Sequence, residues 1–113
     1  MASLYRLDDK MQYHIFTLGR NVKNKVDAIS TNDAIEFFDI LLRNNYDIDC
    51  FSFYEGKGYW NGTPENTLRF EVFGLPDGSA RQLAATLASE FNQEAVMLLS
   101  VNSRPKFITG KVA

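Results

Sequence analysis

The chain has 113 residues, 45% of them apolar and 23% charged, with a formal net charge of −2. That size and composition suit one domain with a two-layer core, and the negative balance argues against a general affinity for nucleic acid or anionic membrane. The solitary Cys50 excludes an intramolecular disulfide and points to a cytoplasmic setting, while no apolar run approaches the ~18 residues of a membrane span.

Residues 1–10 carry Asp8 and Asp9 and lack an apolar core, so no signal peptide is expected there. Residues 11–18 (MQYHIFTL) read as a first strand ended by Gly19, and the polar stretch 20–29 as a loop. Ser30, Thr31, Asn32 and Asp33 supply N-cap candidates for a helix over 30–45. Its apolar residues Ala34, Ile35, Phe38, Leu41 and Leu42 recur at helical spacing opposite Glu36, Asp39 and Arg43. A second strand is predicted over 48–54, continuing toward Trp60 through a bulge at Gly56 and Gly58. Asn61-Gly62 then turns the chain into a third strand over 67–73 (TLRFEVF).

Pro76-Asp77-Gly78 breaks the chain, and Ser79-x-x-Gln82 forms a capping box for a helix over 79–92. Ala80, Leu83, Ala84, Leu87 and Phe91 give that helix a core-facing stripe. A fourth strand over 95–101 (AVMLLSV) is so apolar that it reads as covered on both faces. Residues 102–113 are basic and read as a tail or a fifth edge strand around 106–109, leaving 11–101 as the core of a single domain. The β-α-β-β-α-β order predicts an α+β, ferredoxin-like sandwich: a four-stranded antiparallel sheet with both helices on one face.

Gly19, the stretch 54–62 with Gly58 and Trp60, and above all Phe91-Asn92-Gln93-Glu94-Ala95-Val96 carry a resemblance. The chain resembles a loose group of small uncharacterised bacterial and phage proteins with an aromatic-x-Gln-Glu-(Ala/Ser)-Val junction before the last strand. The resemblance spans most of 11–101 and implies a ferredoxin-like domain and a phage source; it brings no established activity.

The search for chemistry is mostly subtractive. His14 is the single histidine, so a multi-histidine metal centre is excluded, and core packing is the simpler reading of both His14 and Cys50. Glu36 and Asp39 share a helix face, where a solvated surface outweighs an acid-base pair. Glu55-Gly56-Lys57-Gly58 lacks the spacing of a phosphate loop. No catalytic residue, metal site or cofactor is expected.

The face left uncovered by the helices is the better clue. If Tyr13, Ile15, Ile48, Cys50, Leu68, Phe70 and Val72 face the helices, the other side presents His14, Phe16, Leu18, Phe51, Phe53 and Phe73. Such an apolar surface calls for a partner. The expectation is therefore a non-enzymatic protein-interaction module that self-assembles, in its concrete form a phage-encoded inhibitor of a host or defence protein. The acidic residues Asp33, Glu36 and Asp39 would steer a basic partner. Two alternatives stand beside it. One is a regulatory domain binding a small molecule or nucleotide near Tyr54, Tyr59 and Trp60. The other is an RNA-binding domain stacking bases on Phe16 and Phe73 beside Arg69, against which Glu71 and the overall charge count.

Overall fold

The computed structural model describes residues 11–23, 25–103, 106 and 108–110. The elements follow the expected order: β1 Met11–Gly19, α1 Thr31–Tyr46, β2 Ser52–Trp60, β3 Thr63–Phe73, α2 Asp77–Glu90 and β4 Met97–Ser103. The sheet is antiparallel with strand order β2-β3-β1-β4, the arrangement of a ferredoxin-like sandwich.

Local chemistry sets the element ends. The Ser30 hydroxyl accepts from the Asp33 amide at 3.0 Å and starts α1, and Asp47, left-handed at φ 54°, ends it. For α2 the cap is Pro76, with no side-chain bond, and the helix begins two residues before the predicted capping box. Asn61 and Gly62, at φ 50° and 78°, make the two-residue turn between β2 and β3. The pairing runs unbroken from Ser52↔Glu71 to Trp60↔Thr63, so the bulge expected at Gly56 and Gly58 is absent and the hairpin is longer than predicted. Residues 106 and 108–110 form no strand, and the predicted tail segment at Phe107 lies outside the described residues.

The helices bury Ala34, Phe38 and Leu42 from α1 and Ala80, Leu83, Ala84 and Leu87 from α2. Phe38 stacks on Phe70 with centroids 4.3 Å apart and meets Phe16 and Phe51 edge-on at 5.5 and 5.1 Å. Opposite residues of antiparallel strands share a face, and the register sets Phe16 against Phe70, Leu18 against Leu68 and His14 against Val72. All six are buried under the helices.

This inverts the expected face of β1. His14, Phe16 and Leu18 belong to the core, and Tyr13 and Ile15 look outward. Both parities of β1 are apolar enough to be buried, so only pairing with β3 selects between them. Phe51 is half-buried against Phe38 and Phe70, so it too is a core-side residue. β4 is an edge strand open on one face, not the doubly covered strand that its composition implied.

Candidate functional site at the glycine end of the open face

The open face divides along the sheet. On the β4 side it is apolar: Met97, Leu99 and Val101 are 63%, 52% and 45% exposed beside Ile15 and Tyr13. On the β2 side it is polar and low. There β3 presents Glu65, Thr67, Arg69 and Glu71 in period two, and β2 presents Tyr54, Gly56 and Gly58 opposite them.

Glycine makes that side a trough. A Cβ on Gly19 would lie 2.7 Å from both carboxylate oxygens of Glu65, so the carboxylate rests where any other residue would push it aside. Glu65 Oε2 also accepts from the Asn21 amide at 3.0 Å. Gly56 and Gly58 leave Thr67 uncovered on the edge strand, where a ligand or another backbone can approach closely. On the helix side of the same hairpin lies a cleft of about 310 Å³ lined by Arg20, Glu55, Gly56, Lys57, Asn66 and Thr67; Glu55 and Lys57 alternate with the glycines and so face away from the trough.

The loop over 20–29 borders the cleft through Arg20 and is tied both to β3 and to the helix-to-strand junction. The Arg20 amide donates to the Asn66 carbonyl at 3.0 Å, and its Nε donates to the Ile29 carbonyl at 2.9 Å. That leaves a guanidinium nitrogen 3.7 Å from Glu55. Asn66 Nδ2 donates to both Asp27 oxygens, and Gln93 Nε2 donates to the Asn21 carbonyl at 2.8 Å. The Gln93 of the helix-to-strand junction thus holds the loop that carries Asn21, while Phe91 of the same motif packs edge-on against Phe37.

Further along β3, the Tyr13 hydroxyl donates to Glu71 Oε1 and Arg69 lies 3.4 Å from Glu71 Oε2. Burial, and then the bond to Glu71, push the Tyr13 phenol up to about 12. The Tyr13 ring packs on Phe73 at 4.6 Å.

The residues singled out from sequence are dispersed. His14 is fully buried, with Nε2 2.6 Å from the Leu75 carbonyl and Nδ1 2.7 Å from the Ser100 hydroxyl; with buried Phe16, it is corrected from interaction surface to core. Phe53 lies on the helix side of edge strand β2 and is 40% exposed; Phe73 is half-buried on the open face. Asp33 and Glu36 are exposed on α1, and Asp39 is paired with Arg43 at 2.9 Å. Tyr54 and Tyr59 differ in parity and so point to opposite faces of β2, which removes the pocket proposed between them; the Trp60 side chain lies outside the described residues.

Burial pushes the Cys50 thiol up, and a hydrogen bond to Asp49 adds to it, both against a thiolate nucleophile. No group of His, Cys, Asp and Glu able to hold a metal occurs among the described residues. No helix among them is long and apolar enough to cross a membrane.

Sequence reasoning named Arg69 only beside Phe16 and Phe73 in the RNA-binding alternative, and it missed Gly19, Glu65 and Thr67 as site residues. A signal was present in the shared parity of Gly56 and Gly58, but reading them as a bulge hid it.

No protein-family model matches the chain, and no curated protein does. Solved structures do. A phage SAM lyase in complex with S-methyl-5′-thioadenosine matches with a TM-score of 0.68 at 22% identity, over 84% of this chain and 82% of that one. A phage SAM lyase in the apo state matches with a TM-score of 0.64 at 23% identity, over 81% and 79%. The likeness establishes the shared fold. It also overturns the expectation of a non-enzymatic interaction module or inhibitor, because both of these matching structures, covering about four fifths of each chain, are of a SAM lyase. Uncovered apolar surface was a poor guide: it reports that something covers a face, not whether the molecule also does chemistry.

Proposed function

We propose that this chain is a lyase acting on S-adenosylmethionine (SAM), with the glycine-floored trough of the open face as its substrate site. The observation that carries the reading is the fold shared with a phage SAM lyase that holds S-methyl-5′-thioadenosine. Releasing that thioether from SAM breaks the bond between the sulfonium sulfur and the methionyl γ-carbon. The electron pair leaves with sulfur, which becomes neutral, and the γ-carbon takes a new bond from an oxygen of the substrate's own α-carboxylate, closing a five-membered lactone with no co-reactant.

The site chemistry supports such a substrate. Glu65, held by the Asn21 amide, is an acceptor suited to the ribose hydroxyls. Gly56 and Gly58 leave a flat floor for the nucleoside, and the exposed Tyr54 offers a ring face to a sulfonium cation. A phage source and action in the host cytoplasm agree with the neighbours and with the junction motif at Phe91–Val96. The apolar side of the open face supports self-association there, leaving the β2 side for the ligand.

Incubating the purified chain with SAM and separating the products by chromatography tests the reading. S-methyl-5′-thioadenosine should accumulate, and Glu65→Gln should slow its release about tenfold or more with the melting temperature nearly unchanged. Failure to convert SAM, together with failure to bind either SAM or the thioether, would sink it.

A further inference from the structure

We infer that Arg69 and Glu71 form a clamp for the α-amino-acid end of the substrate, the guanidinium taking the α-carboxylate and Glu71 the α-ammonium. The inference rests on the lyase reading and names what would hold the part of SAM that S-methyl-5′-thioadenosine lacks.

Both residues lie on the open face of β3, two positions apart and therefore about 7 Å along the strand. Arg69 is four residues from Glu65, about 13 Å, so a substrate with its ribose at Glu65 extends along the trough toward Arg69. The charges alternate in the required order: a carboxylate at 65, a guanidinium at 69, a carboxylate at 71.

The Glu71 carboxylate is fixed. Its Oε1 accepts from the Tyr13 hydroxyl, its Oε2 faces Arg69 at 3.4 Å, and the side chain is 17% exposed. Arg69 is half exposed, and among the described residues its guanidinium makes one ion pair, to Glu71 through one nitrogen. The rest of its planar fork is left for a bidentate carboxylate. A surface ion pair is the simpler account of such a contact, yet this one stands apart from the usual case. Its carboxylate is planted beside Ile15 and the Tyr13–Phe73 ring pair, where a charge is costly to keep unless every oxygen is satisfied. The neighbouring signs also select the ligand. A plain anion at Arg69 would meet the repulsion of Glu71, whereas a zwitterion satisfies both.

Calorimetric titration with two probes separates the possibilities. Sinefungin is a non-cleavable SAM analogue that keeps the amino-acid end, and S-methyl-5′-thioadenosine lacks it. Arg69→Gln and Glu71→Gln should each weaken sinefungin about tenfold or more and leave the thioether within about twofold. Equal weakening of both probes would show a merely structural pair and overturn the clamp, as would no change in either. If the unmodified chain binds neither probe, the lyase reading falls and takes the clamp with it. If it binds both equally well, the lyase reading stands and the clamp fails.

Discussion

His14 shows how a single buried polar side chain among apolar neighbours is satisfied. A carbonyl can only accept, so Nε2 donates to Leu75, and Nδ1 shares a hydrogen bond with the Ser100 hydroxyl. One imidazole thereby joins β1, β4 and the segment leading into α2. His14→Leu should cost about 1–3 kcal/mol in denaturant unfolding, mainly by orphaning the Leu75 carbonyl. Tyr13 makes a pH-dependent contribution. Its pKa rises from 10 in an ordinary tyrosine to about 12 in the fold, so the folded chain holds this proton more tightly than the unfolded one. The resulting stability is complete below pH 10 and is lost as pH rises through about 12. Ultraviolet titration should find one phenol ionising last, and Tyr13→Phe should abolish both that step and the alkaline slope of stability. Gly19→Ala probes the trough. Its methyl group would displace only the flexible Glu65 carboxylate, so substrate binding should fall while the melting temperature changes little. A drop of many degrees instead would assign Gly19 to the backbone rather than to the site.

At the scale of elements, caps and turns behaved as independent local signals. Ser30→Ala removes the hydroxyl that receives the Asp33 amide and should cost about 1 kcal/mol, read from the same denaturant curves. The first helix was legible because its cap and its stripe of Ala34, Phe38 and Leu42 lie within one short segment. The second start was not, because Ser79 competed with Pro76, whose fixed φ near −60° presets the entry two residues earlier. β2 was misplaced for a related reason. Two of its outward positions are glycines, which carry no hydrophobic alternation to count, and strand pairing rather than composition carries it through to Trp60. The trough was illegible on the same ground: a floor made of missing side chains leaves little in composition to notice.

For the whole molecule, the division of the open face makes its own prediction. Covering Met97, Leu99 and Val101 with a second copy would hide the apolar side and spare the trough. Leu99→Glu should then shift light scattering toward the monomer, whereas unchanged mass would reject assembly through this face. The order of elements, the two helix stripes and the Asn61-Gly62 turn followed from the sequence by itself, since caps, turns and periodicity act within a dozen residues. Only the tertiary structure decided which side of β1 is buried and that β4 lies at an edge. It also decided that Gly19, Gly56, Gly58 and Glu65 meet on one surface. The reason is that a strand's two faces are equivalent until a neighbour fixes its register, and a one-residue slip exchanges core for surface. His14 and Phe16 went to the core and Tyr13 to the open face by that single choice, made by pairing with residues more than fifty positions away.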